Sequence, residues 1–397
     1  MSIKYGTLTV KRLLVLLIIQ FLNDGNISAQ NNKIVIGETA KIHSKVLNED
    51  RSITVYVPPD YKLTQTKYSV VYLLDGPDHF HHVTGIVRFL AQQGVMPDMV
   101  VVGIHNTDRT RDLTPKPDSS DKQQPTAGGS DQFLQFLTDE LKPFVQKKYR
   151  TDPFEILIGH SFGGLFAIHT MLNKPDVFDA YIAVSPSLWW NKWEEVKHAE
   201  SFLRSHRDFK KMLYVALGNE GIQMQSPMDS FVTVLERNAP PGFSWKYQSM
   251  DKENHGTTPH RSIYDGLEWM YTGWSYPLSA AFKGLAGLEQ HYAGLSARFG
   301  YKVEPSERII NSLGYVLLGN LQTAEAIKVF QFNISSHPES ANVYDSMADA
   351  YEAFDEMELA LKNCERACLQ GKKISDPNLA IYQKHLEKIK IKMGKKI

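Results

Sequence analysis

The stretch "EILIGHSFGGLFAIHT", residues 155–170, decides how the chain folds. An apolar run ends at Gly159-His160-Ser161, glycines follow at 163 and 164, and apolar residues resume at helical spacing. A buried strand followed by a sharp turn and an amphipathic helix reads this way. Gly159-His160-Ser161-Phe162-Gly163 also matches the G-x-S-x-G nucleophile turn in its required strand-to-helix setting. A serine on so tight a turn needs small neighbours two residues to either side. Its Oγ then projects at a helix N-terminus, where free backbone N–H groups can stabilise an oxyanion.

Working outward, strands and helices alternate from about residue 33 to 276. The expected strands are 33–37, 52–58, 68–74, 98–104, 154–159, 179–185, 211–218 and 243–249. Several are unbroken apolar runs, the mark of strands buried on both faces of a largely parallel sheet. Helical patterns fall near 80–93, 131–149, 163–173, 191–205, 226–237 and 260–273; in the second, Phe133, Leu134, Leu137, Leu141 and Val145 share a face. This predicts an α/β domain with a doubly wound, mostly parallel sheet. The first two strands have no helix between them and should form an antiparallel flap at one edge. The segment 105–130 lacks periodicity and is rich in Pro, Ser, Gly and Asp. Loops this long are often functional, and one that follows a strand should border the ligand site.

Beyond residue 276 the pattern is helical only. The segments 307–340 and 341–374 align with each other: Gly314 and Ala326 in the first correspond to Ala348 and Ala360 in the second. Small residues at these places let two helices pack closely, as in a tetratricopeptide repeat. Lys372 stands where the first segment has Pro338. The helical stretches 281–297 and from 377 should cap the pair. The organisation expected is therefore a leader over 1–29, a catalytic domain over 30–276 and a helical domain over 277–397.

Composition sets further bounds. The 397 residues carry 44 basic and 44 acidic side chains, with 42% hydrophobic and 22% charged. Zero net charge argues against a nucleic-acid partner. Lys4, Lys11 and Arg12 precede the apolar run Leu13–Leu22, and Ile27-Ser28-Ala29 reads as a cleavage site. These are the parts of an export signal, too short to stay in the bilayer as a span. An exported chain, periplasmic or secreted, follows. Cys364 and Cys368 are the only cysteines, which excludes a disulfide framework and reads as two small helix-packing hydrophobes.

A serine nucleophile needs a base and an acid, which in this fold follow in the order serine, acid, histidine. His255 in "DKENHGTTPHRS" follows the last strand and is preferred to His260, which starts a helix. Glu220 stands just past strand 211–218 and would orient the imidazole, with Asp229 and Asp251 as alternatives. Phe162 N–H is the first oxyanion donor. The second should come from "YLLDGPDHFHH", where Pro77 has no N–H and Gly76 or Asp78 remain. His79, His81 and His82 read as a pocket rim and not as a metal site. No metal or organic cofactor is implied.

Together "YLLDG", "NTDRTRDLTP", "GHSFGG", "SPSLWW", the "NE" after the next strand and "ENHG" resemble an esterase family of α/β-hydrolases. That family includes the enterochelin (ferric siderophore) esterases. The resemblance covers about residues 35–276. It implies Ser161 as nucleophile, His255 as base and Glu220 as acid. It also places Arg109 and Asp112 at the pocket border and Trp189 or Trp190 beside the nucleophile. Pro77 departs from the family, whose members often use the backbone N–H at that place. Arg109 and Arg111 would suit an anionic group, and the tryptophans an aromatic acyl group such as a phenolic acid. The expected activity is hydrolysis of a small-molecule carboxylic ester. Acyl transfer by the same residues and a non-catalytic binding role are the alternatives, with the repeats open to a protein partner or self-association.

Overall fold

In the computed structural model, residues 34–62, 64–118 and 124–394 are described. The expected export signal, 1–29, lies outside them. Eight strands form one sheet: β1 (Glu38–Ser44), β2 (Glu49–Tyr56), β3 (Tyr68–Leu73), β4 (Met99–Ile104), β5 (Thr151–His160), β6 (Ala180–Val184), β7 (Met212–Gly218) and β8 (Ser244–Met250). Their order across the sheet is β1-β2-β4-β3-β5-β6-β7-β8. β1 and β2 run antiparallel at one edge, and every pair from β4 to β8 is parallel.

The chain is α/β as expected, with one strand displaced. Residues 34–37 are not a strand, and the edge strand is "ETAKIHS" instead. Only Ala40, Ile42 and Ser44 turn inward there, so the strand carries little apolar signal, while the apolar "IVI" before it attracts the reading. Sheet residues alternate between two cores, as a period of two requires. Val70, Tyr72, Val100, Val102 and Leu157 face one side. Val71, Leu73, Val101, Ile156 and Ile158 face the other.

The helices of the sheet region are α1 (Gly76–Gln92), α2 (Arg109–Leu113), α3 (Ser130–Phe136), α4 (Lys142–Lys148), α5 (Phe162–Asn173), α6 (Glu194–Ser205), α7 (Ile222–Asn238) and α8 (Thr258–Met270). A π turn, Leu137–Leu141, joins α3 to α4, so the pattern over 131–149 is nearly continuous helix. The segment 105–130 is not wholly loop, because Asp108 caps the short α2 by accepting from Arg111 N–H at 3.0 Å.

The remaining helices are α9 (Gly284–Phe299), α10 (Glu307–Gly319), α11 (Thr323–Ser336), α12 (Asn342–Ala353), α13 (Met357–Ile374) and α14 (Leu379–Lys392). α10 with α11 and α12 with α13 are the helix pairs of the two aligned segments. A Cβ on Gly314 would lie 2.5 Å from the Phe330 ring, so the first pair closes only over glycine. Cys364 and Cys368 are buried and unpaired by disulfide. These helices share a core with the sheet: Leu288, Leu313, Val329, Phe330 and Met347 belong to the same cluster as Val71 and Ile182. Among the described residues, no helix is long and apolar enough to cross a membrane.

Candidate active site

The site forms where several parallel strands end. Ser161 follows β5 with φ 60° and ψ −116°, a conformation that costs a non-glycine residue about 1–3 kcal/mol. Neighbouring glycines make that turn possible. A Cβ on Gly159 would stand 2.1 Å from the Gly163 carbonyl oxygen, and one on Gly164 would stand 2.9 Å from the Val184 carbonyl oxygen. Ser161 N–H donates to Val184 O at 2.9 Å, and its carbonyl accepts from Leu165 N–H (2.9 Å) and Ser187 N–H (3.2 Å). The strained residue is thus held from both sides. α5 begins at Phe162, so the positive end of the helix faces the serine.

Glu220 and His255 meet beside it. Glu220 Oε2 is 2.6 Å from His255 Nδ1. The other oxygen, Oε1, accepts from Ser185 Oγ at 2.5 Å and Gly218 N–H at 3.0 Å. Burial would raise the Glu220 pKa, but the bonds from His255 and Ser185 outweigh it and hold the group below its ordinary value. The carboxylate is 3% exposed and the imidazole 45%, so the pair presents a ring to solvent over a shielded charge. The His255 ring packs on His160, centroids 4.5 Å apart, which brings it to the residue adjoining Ser161. Ser161 Oγ itself lies 3.5 Å from Ser187 Oγ. The alternatives are engaged elsewhere: exposed Asp229 accepts from Gln225 on α7, and Asp251 from Ser249. His260 packs against His82, not His160.

His160 continues into a row of imidazoles. His79 lies 5.6 Å from it, and His82 lies 5.2 Å from His79 with a 3.0 Å contact between Nδ1 and Nε2. Burial, reinforced by neighbouring histidines, pushes His160 and His82 down to about 4. Burial also lowers His79. These rings are neutral at physiological pH.

Arg109 takes another place than the expected anion site. Its Nε and Nη2 donate to Asp75 at 2.7 and 2.9 Å, and Nη2 also reaches the His160 carbonyl at 3.1 Å. Asn106 completes the Asp75 shell at 2.6 Å. Burial raises Asp75, but Arg109 and Asn106 prevail and lower it. A bidentate pair therefore braces the residue before the nucleophile, with the guanidinium 5.6 Å over the Phe162 ring.

Asp112 is not at the pocket border. It is fully buried, bound by Arg51 at 2.6 Å and Arg111 at 2.7 Å. Arg111 also holds Glu49. Arg109 stays partly exposed where it meets Asp75, whereas the fully buried Arg51 holds Asp112 in the core. Trp190 is buried and donates its indole N–H to Pro115 O at 3.0 Å, whereas Trp189 is half-buried against Phe162. Of the two candidate donors near Pro77, Asp78 N–H is already given to Asp75 O at 3.0 Å, which leaves Gly76. A Cβ on Gly76 would stand 2.7 Å from the Gly103 backbone, so only glycine permits this approach. Sequence reasoning missed Asp75, Ser185 and Ser187 as parts of the site, although "LLDG" and "SPSLWW" carried them.

A family model described as "Putative esterase" matches residues 44–283. The ferri-bacillibactin esterase BesA of Bacillus subtilis is 34% identical over 39% of this chain and 61% of its own length. A siderophore enterobactin esterase of Emericella nidulans is 35% identical over 34% of this chain and 51% of its own length. These matches thus span little more than half of each curated relative. A solved IroE-like serine hydrolase from Shewanella oneidensis superposes with TM-score 0.68 and 28% identity, covering 75% of this chain and 98% of that one.

Proposed function

Because the chain belongs to this esterase family, we propose that it hydrolyses carboxylic esters through an acyl-enzyme on Ser161. The observation that carries the reading is the strained Ser161 turn beside the paired His255 and Glu220. Glu220 keeps the ring proton of His255 on Nδ1, so Nε2 is the basic nitrogen. His255 takes the Ser161 proton as Oγ attacks the ester carbonyl. It then gives that proton to the leaving alcohol. Water repeats the sequence to release the acid. Phe162 N–H and Gly76 N–H serve as oxyanion donors. The row of neutral imidazoles adds no positive charge to compete with that of His255 as it forms.

The substrate class follows the named activities of the relatives: a siderophore ester, bound with Trp189 and Phe162 against an aromatic acyl group. Export fits the basic and apolar start of the sequence. The helix pairs from Glu307 are tetratricopeptide-like and brace the sheet domain. The test is turnover of short-chain nitrophenyl esters by the intact protein and by Ser161→Ala, followed by a panel of catecholate siderophore lactones and feruloyl esters. Equal rates for the two proteins, or a fluorophosphonate adduct on another residue, would refute the reading.

A further inference from the structure

Far from the serine, three carboxylates meet one imidazole. Asp345, Asp349 and Glu352 recur at helical spacing along one face of α12. His385 of α14 lies against that face with 10% of its side chain exposed. Its Nδ1 is 2.8 Å from Asp345 Oδ1, a hydrogen bond that fixes one ring proton there. Nε2 is therefore the nitrogen that gains or loses the second proton. It is buried and hydrogen-bonds to nothing among the described residues. Asp349 Oδ1 lies 3.5 Å from it and Glu352 Oε2 lies 3.6 Å from it.

These distances are informative. A charged imidazole donating to a carboxylate closes to about 2.7–2.9 Å. Two ligands on one cation, with bonds of about 2.0–2.2 Å at a tetrahedral angle, stand roughly 3.3–3.6 Å apart. The Nε2 spacings match the second case. All three atoms lie within 4.8 Å of one another. We propose that His385 Nε2, Asp349 Oδ1 and Glu352 Oε2 form a site for a divalent first-row transition cation of the Zn²⁺ type, with water completing its shell. One nitrogen and two carboxylates suit such an ion better than Ca²⁺ or Mg²⁺, which take oxygen alone.

The surroundings are those of a ligand set already oriented. Asp345 holds the far nitrogen of His385, the usual carboxylate–histidine support of a metal ligand. Tyr315 OH donates to Asp349 Oδ2 at 2.7 Å, which leaves Oδ1 to face His385. Cys364 groups with Asp345 and His385. There the 2.8 Å separation is a hydrogen bond and too short for two tetrahedral ligands.

One competitor sets the affinity. Lys388 lies 3.1 Å from Glu352 Oε2, and Lys392 holds the other oxygen. Lys388 is 56% exposed and can swing into solvent.

The experiment titrates Zn²⁺ into the full-length protein against a chromophoric chelator. A tight class of about one ion per chain is expected. His385→Gln and Asp349→Asn should each remove that class. Lys388→Gln, a surface change that leaves the fold intact, should tighten it several-fold. Unchanged Zn²⁺ binding in folded His385→Gln would overturn the proposal. If that variant does not fold, Lys388→Gln decides alone: binding no tighter than in the parent overturns it.

Discussion

Replacing Glu220 with glutamine keeps the side chain's size and removes its charge. The outcome follows from what each oxygen does. Oε1 accepts from both Ser185 Oγ and Gly218 N–H, so the amide oxygen of glutamine must take that place. The amide NH₂ then faces His255 Nδ1, where the carboxylate now stands at 2.6 Å. A donor at that position makes Nδ1 an acceptor and moves the ring proton to Nε2. That tautomer cannot take the Ser161 proton. The expected loss in kcat is about 10³–10⁴-fold, by analogy with the same exchange in a serine protease triad. This corresponds to about 4–5 kcal/mol of barrier. KM should change little, because Glu220 is shielded from substrate. The assay is steady-state hydrolysis of p-nitrophenyl acetate, with the rate of fluorophosphonate labelling as an independent measure of serine reactivity. A loss below about tenfold in both would show that His255 needs no buried carboxylate, and the reasoning would fail.

Two further tests separate scaffold from site. Asp112→Asn removes the charge that faces the fully buried Arg51, and should destabilise the protein by about 3 kcal/mol in urea while kcat/KM stays unchanged. A raised KM for anionic esters at unchanged stability would return Asp112 to the pocket. Burial opposes charge on His169, but hydrogen bonds to Asp131 and Glu195 outweigh it and lift the group to about 9. Because the folded pKa lies above the unfolded one, its contribution is complete below about pH 6.5 and is lost as pH rises through about 9. That contribution amounts to roughly 3 kcal/mol. The Tm should therefore fall across this window in the parent protein and hardly at all in His169→Gln, and parallel curves would refute the assignment.

Much was legible in the sequence because the signals were local. The unbroken apolar runs of β3 to β7 report burial on two faces, and each was found within a few residues. β1 was missed because an edge strand buries one face only, and weakly. The glycines at 159, 163 and 164 named the Ser161 turn because steric exclusion acts between neighbours in sequence. Asp112 misled because a motif gives position along the chain but not the direction of a side chain. On α2, three residues separate an arginine beside the serine from an aspartate in the core.

The sequence by itself determined the α/β class, the strained serine turn and the order in which Ser161, Glu220 and His255 follow their strands. Each depends on periodicity or on backbone sterics over a few residues. Only the tertiary structure decided which charges are spent on the scaffold. It gave Arg109 to Asp75, Asp112 to Arg51, and His160 to the space between His255 and His79. It also joined the C-terminal helices to the sheet in one core and set His385 against Asp349 and Glu352. These are contacts between residues distant in sequence. Their partners are chosen by packing and desolvation, and neither leaves a pattern along the chain.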